Sequence, residues 1–129
     1  MLDHVILTVS DLDRSVLFYR QALSFLNMDE FIDFKGKDGH PDLKGFGKGG
    51  SHFFWLKAGK PDPASVHVGF QAKSHAEVHA FFDAAIKAGG REKTAPAAQL
   101  QYHANYYATW VFDPDGYDIE VVNKTGHVD

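Results

Sequence analysis

The chain has 129 residues, 44% of them apolar and 23% charged, with a formal net charge of −4, the balance of a soluble globular domain. It has no cysteine, which excludes disulfides, thiolate metal ligands and a cysteine nucleophile. No long basic cluster supports nucleic-acid binding, and no apolar run approaches the roughly 18 residues a membrane helix needs. The amino terminus lacks a signal-peptide pattern, so the expected location is cytoplasmic.

Residues 2–9, Leu-Asp-His-Val-Ile-Leu-Thr-Val, form a β-branched run that predicts an opening strand. Alternation puts Val5, Leu7 and Val9 on one face and Leu2, His4, Ile6 and Thr8 on the other. Ser10-Asp11 then offers a helix cap, and Val16, Leu17, Tyr19, Ala22 and Leu23 recur at helical spacing to about Phe25. Phe31 to Phe34 reads as a strand. Lys35 to Gly50 holds six glycines and one proline and reads as a loop with a short strand. Its Gly47-Lys48 lacks the flanking residues of a phosphate-binding loop. Ser51 to Lys57, built on Phe53, Phe54, Trp55 and Leu56, is a strong strand, and Lys60-Pro-Asp-Pro-Ala64 is a stiff connector. Ser65 to Ala72 is the next strand, with His67, Gly69 and Gln71 sharing a face. Ser74 caps a helix to about Ala88 that Gly89-Gly90 ends. A weak strand and a loop fill 91–105. Tyr107 to Val122 is then a hairpin about Asp113-Pro-Asp-Gly116, whose turn chemistry is unambiguous.

The halves repeat. His4 and His67, Asp11 and Ser74, Phe18 and Phe81, Ala22 and Ala85, and Leu23 and Ile86 are each 63 residues apart. A register kept through a strand, a cap and a helix face implies two copies of a β-α-β-β-β unit. The expected fold is α+β: one domain over 1–129, with repeats of about 1–60 and 64–125 forming a concave mixed-sheet cup with helices outside. The leading strands then present His4 and His67 at equivalent positions. Glu120, flanked by Ile119 and Val121, projects to the same helix-free face. A carboxylate there requires a partner cation, a metal or solvent. Two imidazoles and a carboxylate suit Fe, Mn, Ni, Co or Zn as divalent ions.

These motifs resemble the vicinal oxygen chelate superfamily, the glyoxalase/bleomycin-resistance/dioxygenase group. The residues that carry the likeness are His4-Val-x-Leu-x-Val-x-Asp-Leu-x-x-Ser-x-x-Phe-Tyr19, His67-Val-x-Phe70 and Asp113-Pro-Asp-Gly-x-x-Ile-Glu120. The resemblance implies metal ligands on the first and last strands of each unit, which here are His4, His67 and Glu120. The fourth such position falls on Phe54 or Trp55, neither of which binds metal. Four-ligand glyoxalase I chemistry is thereby disfavoured against three-ligand activities such as ring-cleaving dioxygenation or thiol transfer. The implied function is a metal-dependent enzyme acting on a small substrate with vicinal oxygens. A bleomycin-resistance-type small-molecule binder is the alternative. Phe53, Phe54, Trp55, Tyr102, Tyr106 and Tyr107 are expected to wall the ligand space, with Phe54, Trp55 and Tyr107 as its main contacts. His103 and Tyr106 are expected acid–base groups. His52 would replace the missing ligand only if the strand alignment slipped by two. His75 and His79, four apart on the second helix, read as plain surface. Single-module relatives commonly pair, so a homodimer is expected, with the cup either closed within a chain or shared between two.

Overall fold

Burial that alternates along one strand and returns every three or four residues along the next segment defines each half of the chain. The structure is a computed structural model that describes residues 1–129. Its first half runs β1 (Val5–Val9), α1 (Leu12–Leu23), β2 (Glu30–Phe34), β3 (Leu43–Lys48) and β4 (Ser51–Ala58). The second runs β5 (His67–Gln71), α2 (His75–Lys87), β6 (Arg91–Ala98), β7 (Tyr107–Phe112) and β8 (Asp118–Asn123). The halves form two open four-stranded sheets, ordered β1-β4-β3-β2 and β5-β8-β7-β6. In each, the leading strand pairs in parallel with the last, and the remaining pairs are antiparallel. The α+β fold built from two βαβββ units is therefore as the repeat implies.

Both helices start where capping chemistry puts them. The Asp11 carboxylate accepts from the Arg14 N–H, and the Ser74 hydroxyl accepts from the Glu77 N–H at 3.1 Å. The caps and the first helical residues keep the 63-residue offset. Two details differ from expectation. The leading strands are shorter than 2–9 and 65–72, and β1 begins one residue after His4. The buried face of α1 is Ser15, Phe18, Tyr19, Ala22 and Leu23, while Leu17 is 61% exposed. Steps of three and four select positions 15, 18, 19, 22 and 23, and Leu17 lies outside that stripe.

One core spans both halves. Phe54 of β4 meets Phe70 of β5 edge-on at 5.2 Å and Tyr19 of α1 at 4.9 Å. Helices α1 and α2 pack against each other as well as on their own sheets. Phe46, Phe54 and Leu56 of the first sheet, and Phe70, Val111, Ile119 and Val121 of the second, are all buried on this helix side. The opposite, helix-free faces remain open in a single chain. Ile6, Ile32 and Phe34 on the first are 46%, 41% and 44% exposed.

Candidate metal and substrate site

Strand β8 carries the deciding alternation. Ile119 and Val121 are fully buried against the helix side, which sends Glu120 to the open face opposite Gly69 of β5 and Trp110 of β7. Its carboxylate is nonetheless only 9% exposed, so solvent does not explain it. His67 Nε2 lies 3.0 Å from Glu120 Oε1, and the Tyr106 hydroxyl donates to Oε2. Desolvation first, then the bond to Glu120 and its charge, push the Tyr106 phenol up to about 12. Behind His67, its Nδ1 faces Asp118 Oδ1 at 3.5 Å, and Lys93 Nζ donates to Asp118 Oδ2 at 2.5 Å. A cavity of about 470 Å³ opens beside His67, lined also by Pro63, Val66, Phe112 and Asp118.

The predicted residues divide into two groups. His67, Glu120 and Tyr106 are brought together. His4 stands apart from them: it is exposed, its Nδ1 is 2.6 Å from Asp3 Oδ1, and it lines a cleft between the sheets with Phe53, Val68 and Gly69. A single chain holds no group of three or more His, Asp or Glu side chains able to hold a metal ion. His103 is also outside the cluster. It is exposed, and its Nδ1 accepts from the Asn105 N–H, which fastens its own loop.

Register resolves the vacant fourth position. Gly69 opposes Glu120 in the second sheet, and Ile6, 63 residues earlier, opposes Trp55 in the first. Trp55 is thus the counterpart of Glu120, and no slip brings His52 there. The indole lies flat over Gly45, where a Cβ would sit 2.6 Å from its ring, and its Nε1 donates to the His52 carbonyl. Gly45→Ala is accordingly expected to lift the indole off the sheet and red-shift its emission, read in a Trp110→Phe background. An unchanged spectrum would show that the ring does not depend on that gap.

Phe54 and Tyr107 do not reach the open face. Phe54 has no exposed surface. Tyr107 pairs with Asn123 on the helix side, where His75 stacks on its ring at 3.8 Å and His79 Nε2 meets its hydroxyl at 2.7 Å. The two histidines therefore contact Tyr107, His75 half-buried and His79 at an exposed surface position. Alternation explains both departures: Phe54 is one residue from Trp55, and Tyr107 one from Tyr106, so each neighbour points the opposite way. The residues missed from sequence, Trp110, Phe112, Asp118 and Lys93, share the face of Glu120. Counting back through the Asp-Pro-Asp-Gly turn would have found the first three.

The sequence matches the family model of the Glyoxalase/Bleomycin resistance protein/Dioxygenase superfamily over residues 1–121. The chain belongs to that superfamily. Solved structures of similar fold include a glyoxalase/bleomycin resistance protein from Albidiferax ferrireducens T118, at 24% identity and a TM-score of 0.78, covering 95% of this chain and 98% of that one. A genomically encoded fosfomycin resistance protein from Listeria monocytogenes aligns at 20% identity and a TM-score of 0.69, covering 97% and 93%. The E144Q mutant of glyoxalase I from Zea mays aligns at 22% identity and a TM-score of 0.74, covering 95% of this chain but 46% of that one. This chain thus spans about half of the maize enzyme. No protein with a curated description matches the sequence. No helix is long and apolar enough to cross a membrane.

Proposed function

We propose that this superfamily member is a metal-dependent enzyme acting on a small substrate with vicinal oxygens, with His4, His67 and Glu120 as the metal ligands. The observation that carries the reading is the buried Glu120 carboxylate, held on an open sheet face with a histidine nitrogen 3.0 Å away. A carboxylate is costly to bury without a cation to share, and the His67 beside it remains half-exposed and open to a ligand. The donor set of imidazole and carboxylate suits a divalent first-row ion. Trp55 adds no fourth donor, which leaves coordination positions for substrate. A bound divalent ion would supply a Lewis acid and a template for two adjacent substrate oxygens.

The chain's own residues do the rest. His67 and Glu120 fix the position of the charge. Tyr106, whose hydroxyl donates to Glu120, orients that carboxylate and is the group nearest to it that carries a transferable proton. Phe112 and the Pro63–Val66 segment wall the cavity beside His67 and accept the apolar part of a ligand. Trp55 offers a flat aromatic platform on the first sheet. His4, one residue before the edge strand β1, joins His67 and Glu120 from a second copy of the chain. The exposed Ile6, Ile32 and Phe34 on the same face favour coverage by that copy.

Metal analysis of untagged protein tests the reading. About one divalent ion per chain is expected in wild type, and less than a tenth of that in His67→Ala and Glu120→Ala. A metal-free wild type, with both variants equally stable, would sink it. That outcome would favour the second reading, a small-molecule binder of the bleomycin-resistance kind. One observation supports that alternative: His67 and Tyr106 already occupy both oxygens of Glu120.

A further inference from the structure

The Asp118 carboxylate is held in an unusual state. Its Oδ2 takes the Lys93 ammonium at 2.5 Å, while its Oδ1 is buried without a hydrogen-bond partner. The nitrogen that faces the empty oxygen is His67 Nδ1, 3.5 Å away. A buried acceptor left unpaired is costly, so its orientation needs a cause. Lys93 supplies half of one. Glu92 pairs with Val111 and Thr94 with Trp110, so Lys93 is the extra residue of a bulge in β6. Bulges re-aim side chains beside sites, and this one delivers Lys93 to the face of Asp118, across β7.

We propose that Asp118, oriented by Lys93, is the positioning residue that fixes the ring and tautomer of His67 for metal binding. The inference rests on the ligand role of His67 proposed above. When Nε2 serves as a ligand its lone pair must be free, so the neutral ring carries its proton on Nδ1. Asp118 Oδ1, 3.5 Å from Nδ1, is the acceptor placed to receive that proton. The Lys93 bond to Oδ2 leaves Oδ1 facing His67 and stops the group from turning away. Metal-bound histidines usually have such a carboxylate or carbonyl behind them, and its loss typically lowers metal affinity 10- to 100-fold.

The experiment exploits the asymmetry of an amide. In Asp118→Asn, Lys93 can only donate and so captures the amide oxygen, which turns the NH2 group toward His67 Nδ1. Two donors then face each other and the wrong tautomer is favoured. Zn(II) titration of the metal-free protein should show affinity down about 10- to 100-fold. Adding Lys93→Ala frees the amide to flip its oxygen to His67, so the double variant should recover about tenfold over Asp118→Asn alone. A merely structural role predicts the reverse, with the double variant no better than the single one. The ¹⁵N shifts of His67 in the Zn(II)-loaded protein should report an Nδ1-protonated ring in wild type and in the double variant. If wild type binds Zn(II) and Asp118→Asn binds it equally well, or if Lys93→Ala fails to rescue, the positioning role is overturned and the ligand reading stands. If wild type binds no Zn(II), the ligand reading falls and takes this role with it.

Discussion

Refolding an equimolar mixture of His4→Ala and Glu120→Ala chains is expected to restore about a quarter of the wild-type metal content, although each variant alone binds almost none. The argument is geometric. His67 and Glu120 meet within one chain at 3.0 Å, yet His4 is not grouped with them, and no three-ligand cluster exists in a single copy. Helices α1 and α2 pack against each other and on their own sheets, and the helix-free face of the first sheet keeps Ile6, Ile32 and Phe34 exposed in a single copy. A two-fold dimer lets the first sheet of one copy cover the second sheet of its partner, and it forms two equivalent sites. Random pairing makes about half of the dimers mixed. In each mixed dimer one site carries both defects and the other carries none, which gives about one intact site in four. A site closed within one chain predicts no recovery at all. Metal content after gel filtration of the refolded mixture reads the difference directly.

How much of this was legible in the sequence depended on whether a residue's role is local or relational. Caps, the Asp-Pro-Asp-Gly turn and the 63-residue repeat are local signals, and each predicted element is present. The orientation of Glu120 was also legible, because two apolar neighbours fix its face. Face assignment failed where apolar residues stand side by side. Phe54 and Trp55, or Tyr106 and Tyr107, are equally good strand residues by type, and only pairing register tells which of each couple points to the core. In the first sheet register fixes the buried ring as Phe54, paired with Val5. The Lys93 contact was beyond reach for a further reason. It requires a bulge in a strand containing Pro96, where the pairing skips residues on both sides of Thr94. Neither alternation nor propensity forecasts that shift. The contact of His75 and His79 with Tyr107 is equally out of reach, because an i, i+4 pair advertises its spacing and not the ring beneath it.

Asp113→Ala is expected to destabilise the fold by about 3–5 kcal/mol, a large part of the roughly 5–15 kcal/mol available to a domain of this kind. The Asp-Pro-Asp-Gly motif looks like a turn that merely presents Glu120, but its first carboxylate ties the halves together. Asp113 is 2% exposed. Its Oδ2 accepts from the Tyr19 hydroxyl of α1 at 2.6 Å, and its Oδ1 accepts from the N–H groups of Asp115 and Tyr117, each at 2.9 Å. Tyr117 in turn donates to the Thr8 carbonyl in β1, and Asp115 takes Ser10 and Arg14 at the start of α1. Removing the carboxylate strands three donors, two of them from the turn backbone, where the loss of each buried partner costs about 1–3 kcal/mol. Asp113→Asn keeps an oxygen for the two N–H groups and turns its NH2 to the Tyr19 oxygen, so it should cost far less. The pH dependence separates charge from geometry. Burial holds the Asp113 carboxyl above its ordinary range, partly offset by the Tyr19 and backbone bonds. Between the ordinary and the raised value the folded chain binds the proton more tightly than the unfolded chain, so the contribution of this group falls as pH rises through that window. The Asn variant has no such titration. Urea unfolding across the acidic range should therefore show wild type losing ground to Asp113→Asn as pH rises, while Asp113→Ala stays the least stable throughout. A pH-independent gap between wild type and Asp113→Asn would mean that the carboxyl is not raised. A mild Asp113→Ala would mean that the Phe54–Phe70 core, the α1–α2 contact and the Tyr117 and Asp115 bonds hold the halves without it.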